Sequence, residues 1–507
     1  MSTVELPARL NIDQRFLGDR VEEGRGNEEA LRLDDRSLTY GEVDDLARGY
    51  GVALRSLGID PEQRVLIALP DGPDYVAALF GILRIGAVAV MVNPGLSVAA
   101  LVSMIERSRA PVALTHFDTA ASMIEAAAAA RWPVEVIVVG GEWSGARTID
   151  DLDRTGPCPR FETHRDDPAI WLFSGGTTGL PKAVPQTHRS YANTTALYTA
   201  AVGYRPDDVT MAVPKLYFGY ATGANLFFPF SVGATAVLFP EHPTPDVLFD
   251  RIERHRPTIL VHVPSAINQM LNHERAAKAD LSSLRFVTSA GEALPETLYR
   301  SWYDRFGIEI LDGLGTAEMW HIFVSNVPGD VRPGTLGKAV PGFELAVRDP
   351  DGHDVPDGEV GRLWVKGDSR GLGYWQDLDA TGEVFMGEWV VTGDLVSRDE
   401  QGYVTHRGRA DDAVKVKGKW FQPQELEGCL LEHPAVQEAA AVPIPDEDGL
   451  LRPVAFVVRA GQVSADELTA WVLERLEPYK HPRRIVFLDA LPQTHLGKVD
   501  RGALRRM

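Results

Sequence analysis

Ser174-Gly175-Gly176-Thr177-Thr178-Gly179-Leu180-Pro181-Lys182 follows the apolar run Ala169-Ile170-Trp171-Leu172-Phe173, so glycines, hydroxyls and a lysine are displayed past the end of a predicted buried strand. This composition suits an anion. Glycine lets the backbone approach closely and aim its N–H groups, Ser174, Thr177 and Thr178 add donors, and Lys182 adds positive charge. The spacing is not that of the Walker loop, and no G-x-G-x-x-G dinucleotide fingerprint lies in the stretch.

Around this stretch the chain reads as α/β. Arg64 to Pro70 is an apolar run, residues 73–85 have helical apolar spacing and residues 87–92 are apolar again, which predicts a βαβ unit over 65–92. Further predicted strands fall at 111–115, 134–139, 234–239, 258–263 and 284–289 with helices between them. A glycine-punctuated charged passage near Arg409 separates this large part from a small α+β part. There Ser464-Ala-Asp-Glu467 resembles a capping box, Leu468, Trp471, Val472 and Leu476 share one helical face, and strands are predicted at 439–442, 453–458 and 484–488. The expected organisation is a large N-terminal multi-sheet α/β domain, 1–410, and a small mobile C-terminal α+β domain, 411–507.

The 507 residues suffice for a large core, and Lys+Arg 51 against Asp+Glu 71 gives a formal charge of −20. Such a balance argues against nucleic acid and anionic membrane as partners. The only cysteines, Cys158 and Cys429, lie far apart and outside any metal-like grouping, so neither a disulfide framework nor a zinc site is indicated. The N-terminus lacks a basic segment followed by an apolar run, and no apolar stretch of about 18 residues occurs, which predicts a cytoplasmic protein without membrane insertion.

The string 174–182 is similar to the phosphate loop of the adenylate-forming superfamily, which includes acyl- and aryl-CoA synthetases, peptide-synthetase adenylation domains and luciferases. The resemblance runs through nearly the full chain, and later stretches narrow it to benzoate-CoA ligase-like enzymes. It implies the adenylate-forming fold, ATP and Mg²⁺ as cofactors, and coenzyme A as acceptor. Ser174, Gly175, Gly176, Thr177, Thr178, Gly179 and Lys182 would hold phosphates. In Ser289-Ala-Gly-Glu-Ala-Leu-Pro295, Gly291, Glu292 and Ala293 would lie along the adenine. In Leu311-Asp-Gly-Leu-Gly-Thr-Ala-Glu318, Asp312, Gly313 and Thr316 would pack near the nucleotide, and Glu318 would hold the metal. The family's usual Gly-x-Thr-Glu ending reads Gly315-Thr316-Ala317-Glu318 here, so the phosphate donor expected at 317 is absent and weaker ATP use is expected, a loss worth about 1.5–3 kcal/mol.

Thr392-Gly-Asp394 matches the ribose-binding motif, with Asp394 accepting from both hydroxyls and Arg409 near ribose and phosphate; Asp411 matches the interdomain hinge. Lys498, in Leu491-Pro-Gln-Thr-His-Leu-Gly-Lys498, matches the catalytic lysine, an ammonium able to offset repulsion between carboxylate and α-phosphate. Gly418, Lys419 and Trp420 match the CoA tunnel, at whose mouth Lys417, Lys419 and Arg452 are candidate cations.

Val213-Pro-Lys-Leu-Tyr-Phe-Gly-Tyr-Ala-Thr-Gly223 and Met319-Trp-His-Ile-Phe323 carry the resemblance to benzoate-CoA ligases, with Gly219, Tyr220, Ala221, Gly315, His321 and Ile322 walling a flat pocket. Core packing is the competing role for Tyr217, Phe218 and Tyr220. Gly219 stands where that group commonly has alanine, which predicts a pocket roomier by a methyl. The expected substrate is benzoate or an ortho-substituted benzoate such as 2-aminobenzoate or 2-hydroxybenzoate, converted to aryl-AMP and then aryl-CoA. Two alternatives share the motifs: a stand-alone adenylation enzyme that loads a carrier-protein phosphopantetheine, and a non-catalytic adenylate sensor, suggested only by Ala317.

Overall fold

The structure, a computed structural model, describes residues 4–174, 181–410, 414–416, 419–446, 450–492 and 499–507. Gly175, Gly176, Thr177, Thr178, Gly179, Asp411, Lys417, Gly418 and Lys498 lie outside the described residues.

Two large sheets organise the chain. In one, the strands run in spatial order Arg147–Thr148, Glu135–Val139, Val112–His116, Arg64–Ala68, Val88–Met91, Pro168–Ser174 and Lys182–Thr187. Every neighbouring pair is parallel except the last, which closes as an antiparallel hairpin with Ser174 opposite Lys182. The predicted βαβ unit is Arg64–Ala68, the helix Pro73–Arg84 and Val88–Met91, with Val65 opposite Ala89. Pro73 opens the helix where its missing N–H is harmless, and residues 75–84 are buried on every side, matching their near-continuous apolar run.

The second sheet has the order Lys338–Ala339, Ile322–Ser325, Ile310–Gly315, Phe286–Ser289, Ile259–His262, Val209–Ala212, Thr235–Val237, Glu29–Arg32 and Ser37–Thr39. Its centre is parallel and its ends antiparallel. One continuous core reaches from Val65 and Ile67 of the first sheet to Val261 and Leu311 of the second. Phe80, Phe227, Phe230 and Tyr191 fill it, each worth about 1.5–3 kcal/mol in buried apolar surface.

A third, antiparallel sheet was not predicted. Glu344–Arg348, Val360–Lys366, Trp389–Arg398 and Phe385–Met386 pair in that order, and Val404–Arg409 pairs with Trp389–Arg398. The C-terminal part carries the strands Val436–Pro445, Leu451–Arg459 and Arg484–Leu488, covered by the helices Pro423–Leu431 and Ala465–Leu473. The hydroxyl of Ser464 caps the second helix by accepting from Glu467 N, and Leu468 and Val472 are buried beneath it. No described helix is long and apolar enough to cross a membrane.

Candidate nucleotide and aryl-acid site

The ends of the two large sheets bring the predicted motifs together. The hairpin of Pro168–Ser174 and Lys182–Thr187 brackets the predicted phosphate loop, placing Ser174 and Lys182 side by side at its base. Lys182 Nζ lies 4.8 Å from the ring centre of Tyr374, and the Tyr374 hydroxyl donates to Oε1 of Glu318 at 2.6 Å. Glu318 is buried in the middle of the turn Ala317–Met319, which continues the strand Ile310–Gly315. Burial, followed by the Glu318 carboxylate, raises the Tyr374 phenol above its ordinary range and keeps it a donor.

Tyr374 was missed by the sequence reading. It sits in a segment that clasps the hairpin from outside: Leu372 N donates to Pro185 O and Trp375 N to Ala183 O, while Gly371 N donates to Glu318 O. Gln186 completes the clasp with Nε2 donating to Ala317 O at 2.6 Å. Phosphate hairpin, acidic turn and residues 371–375 are therefore one hydrogen-bonded unit.

Thr316 caps the acidic turn, its hydroxyl oxygen accepting from Met319 N at 3.3 Å, which leaves its proton available to donate. Ala317 packs its methyl beside Val184, Tyr374 and Ala380. Among the described residues no group of three or more His, Cys, Asp or Glu forms a metal cage. A single buried carboxylate suits Mg²⁺, which takes one or two carboxylates and draws its remaining ligands from phosphates and water.

Asp394 lies buried on Trp389–Arg398, directly opposite Arg409 of Val404–Arg409. Its Oδ1 is 3.2 Å from His406 Nε2 and 3.4 Å from Arg409 Nη1, and Thr392 Oγ1 accepts from Asp394 N. His406 is a second residue that the motif reading did not supply. Arg409 also acts electrostatically on the Tyr374 phenol, which links this carboxylate to the Lys182 end of the site.

Gly291 takes φ +89° in the turn after Phe286–Ser289, and Glu292 and Ala293 follow it at the surface. The Glu292 carboxylate accepts from Ser265 N at 2.9 Å and Ser265 Oγ at 3.1 Å, capping the helix Pro264–Asn272. Asp312 points inward, its carboxyl raised well above the ordinary range by burial, and its carbonyl accepts from Asn326 N and Nδ2.

The residues expected to meet the aryl ring lie together. Gly219, Tyr220 and Ala221 lie on the short helix Gly219–Thr222, and the Tyr220 hydroxyl donates to Thr288 Oγ1 at 2.9 Å. His321 Nε2 lies 3.0 Å from Tyr220 O, so this nitrogen donates; burial pushes the imidazole down to about 4 and keeps it neutral. Its ring meets Phe228 edge-on at 4.6 Å. Gly315 runs against the His321 backbone, where an added Cβ would lie 2.5 Å from His321 O, and Ile322 is buried opposite Gly315 in the sheet. Between them Trp320 takes φ 64°, a region that bulky residues avoid at about 1–3 kcal/mol, and this kink turns His321 toward Tyr220.

The extra methyl's worth of room expected at Gly219 is not open space. An added Cβ there would lie 3.1 Å from Leu172 Cδ2 and 3.2 Å from Cδ1, because Leu172 leans in from Pro168–Ser174.

Lys419 and Trp420 lie on Lys419–Phe421, paired with Val414–Val416. Arg452, a candidate cation, is held by Asp446 at 2.8 Å.

Residues 19–375 match the AMP-binding enzyme family, and residues 425–498 match the AMP-binding enzyme C-terminal domain. The chain is 39% identical over 513 residues to a benzoate–CoA ligase of Thauera aromatica, covering 99% of this chain and 97% of that protein. A crystal structure of an anthranilate CoA ligase in complex with anthranoyl-AMP superposes with a TM-score of 0.93 at 36% identity, covering 99% of this chain and 98% of that one. A benzoate CoA ligase from Burkholderia xenovorans LB400 superposes with a TM-score of 0.88 at 38% identity, covering 98% and 99%. Sequence and structure agree over the whole length, and the chain belongs to the AMP-binding enzyme family.

Proposed function

We propose that this chain is a cytoplasmic, AMP-forming aryl-CoA ligase that activates benzoate or an ortho-substituted benzoate such as 2-aminobenzoate. The observation that carries this reading is the shared strand. Ile310–Gly315 ends against the His321 wall at Gly315, and its continuation brings the Glu318 carboxylate to Tyr374 and Lys182. An acid held by the first would sit next to phosphates held by the second.

In the proposed reaction an aryl carboxylate oxygen attacks the α-phosphorus of ATP, the bond to the bridging oxygen of the β-phosphate breaks, and pyrophosphate leaves. The thiolate of CoA then attacks the mixed-anhydride carbonyl, the carbonyl–oxygen bond to AMP breaks with its electron pair, and aryl-CoA and AMP result. Tyr220, Gly219, Ala221, Gly315, His321 and Ile322 orient the ring, Lys182 and the loop 174–179 hold phosphate charge, and Asp394 with Arg409 holds the ribose. Mg²⁺ carried by ATP would neutralise phosphate charge, and Glu318 would hold it. Lys498 enters from the proposed small domain, 411–507, to bridge carboxylate and phosphate, and rotation about Asp411 then presents the face with Gly418, Lys419 and Trp420 to the thiol.

Pyrophosphate release with Mg·ATP across a panel of benzoates and short fatty acids, with and without CoA, tests this directly when products are identified by mass. Aryl-CoA from a benzoate is the expected result. Aryl-AMP without a CoA adduct would move the acceptor to a carrier protein, and silence across the panel would leave a non-catalytic adenylate sensor.

A further inference from the structure

The loop that leads into Gly219–Thr222 does not rest on its own sheet alone. It leaves the strand Val209–Ala212 of the nine-stranded sheet, yet Leu216 is gripped through its N–H and its C=O by Asp71, in the turn after Arg64–Ala68 of the seven-stranded sheet, and by Tyr75, in the helix Pro73–Arg84 that follows. Leu216 N donates to Oδ1 of Asp71 at 2.8 Å, and Tyr75 donates its hydroxyl to Leu216 O at 3.0 Å. Thr222, inside the short helix, donates to the same carbonyl and to Phe218 O. Leu216 and Tyr75 are fully buried and Asp71 nearly so.

Next to this peptide Lys215 is also buried, donating to Phe239 O at 2.7 Å with Nζ 3.6 Å from the Phe239 ring centre. Asp71 and Lys215 are opposite charges removed from water together, and each moves the other toward its ionised form against the effect of burial. The Asp71 carboxylate lies among Leu216 N, Lys215, Tyr75 and Tyr217, with Glu241 and Arg251 acting on Lys215 from the far side.

On the reading of residues 219–221 as the aryl-pocket wall given above, we propose that Asp71 is a positioning residue for acid recognition. It acts through the main chain of Leu216, with Tyr75 as its counterpart on the carbonyl, to set the height of Tyr220 over the ring site. Neither side chain would touch the substrate. The lobe bearing the phosphate hairpin thereby sets the shape of the pocket in the other lobe, and the two halves of the substrate site are held in register.

The test measures KM for benzoate and for ATP separately, by pyrophosphate release from the full chain, in Asp71→Ala, Asp71→Asn, Tyr75→Phe and Tyr220→Ala. Asp71→Ala should raise the benzoate KM at least tenfold and leave the ATP KM within twofold. Asp71→Asn, whose carbonyl still accepts from Leu216 N, should restore the benzoate KM to within about threefold of the parent, and Tyr75→Phe should raise it about threefold. Should Asp71→Ala not fold, the Tyr75→Phe split between the two KM values decides, and equal rises in both would overturn the proposal. If Tyr220→Ala shifts the benzoate KM while the Asp71 and Tyr75 variants do not, the positioning role is wrong and the pocket assignment stands. A Tyr220→Ala variant with an unchanged benzoate KM would remove the pocket assignment itself.

Discussion

The hydroxyl of Tyr374 donates to Oε1 of Glu318 at 2.6 Å, and both side chains are buried. A hydrogen bond to a buried carboxylate contributes about 1.5–3 kcal/mol, and here it also aims the group proposed to meet the metal. Tyr374→Phe should therefore weaken binding of Mg·ATP by roughly tenfold or more while leaving the aryl-acid KM near its parent value. Nucleotide titration with and without Mg²⁺ checks this independently of turnover; an unchanged Mg²⁺ requirement would remove Tyr374 from the site.

Replacement of Lys498 by Ala should lower aryl-AMP formation by orders of magnitude and leave thioester formation from supplied aryl-adenylate largely intact. Two described contacts between the C-terminal strand Val436–Pro445 and the large part are polar: Asn268 Nδ2 donates to Gln437 O at 3.5 Å, and Glu438 is raised by burial and by Glu292. Polar contacts of this kind suit the proposed mobile small domain. Equal loss of both half-reactions would refute the two-state scheme.

The alanine at 317 makes a pair of opposed predictions. Thr316→Val removes the remaining hydroxyl of the turn and should lower kcat/KM for ATP by about 10-fold to 100-fold, the range of one charged hydrogen bond. It also removes a cap worth about 1 kcal/mol, so Thr316→Ser serves as the control that keeps both. Ala317→Thr should raise kcat/KM for ATP several-fold. If neither change is felt, backbone N–H groups supply the phosphate contacts.

Acid should destabilise the protein partly through buried neutral histidine. His262 accepts from Val263 N at 3.0 Å through Nδ1, and burial pushes it down to about 3. As pH falls below about 6.5 the unfolded chain takes up a proton that the folded form refuses until near 3, so stability present above 6.5 is lost at about 1.4 kcal/mol per pH unit. Comparison with His262→Gln isolates this from Asp71 and Asp312, whose folded forms hold a proton the unfolded chain releases. The stability advantage of the parent over the variant, from urea unfolding, should shrink between pH 6 and 4; a pH-independent difference would count against it.

What could be read along the chain was what neighbouring residues encode. The strand ahead of the predicted phosphate loop was legible because a buried run, Pro168–Ser174, ends in glycine and hydroxyl residues, and the βαβ unit because its helix is apolar throughout; the return strand Lys182–Thr187 was not. The sheet carrying Asp394 was not, because in Val360–Lys366 the buried Gly361, Leu363 and Val365 are separated by Arg362, Trp364 and Lys366, which leaves no continuous apolar run. Tyr374 meets Glu318 across 56 positions and Asp71 meets Leu216 across 145. Neither contact leaves a local signal, since Gly371 to Gly373 and the Pro70-Asp-Gly-Pro73 turn both look like ordinary loops. Motif resemblance singled out Asp394 and Glu318, but not His406 and Tyr374, the residues that hold them.

The segment 371–375 has a second consequence, for handling the protein. Lys182–Thr187 is the outer strand of its sheet, and a bare outer strand offers its N–H and C=O groups to any other chain. Here Leu372 and Trp375 occupy Pro185 O and Ala183 O, so the edge is already paired. A substitution that loosens this segment exposes a sticky edge at the same moment that it frees Glu318, and loss of turnover and loss of solubility would be inherited together.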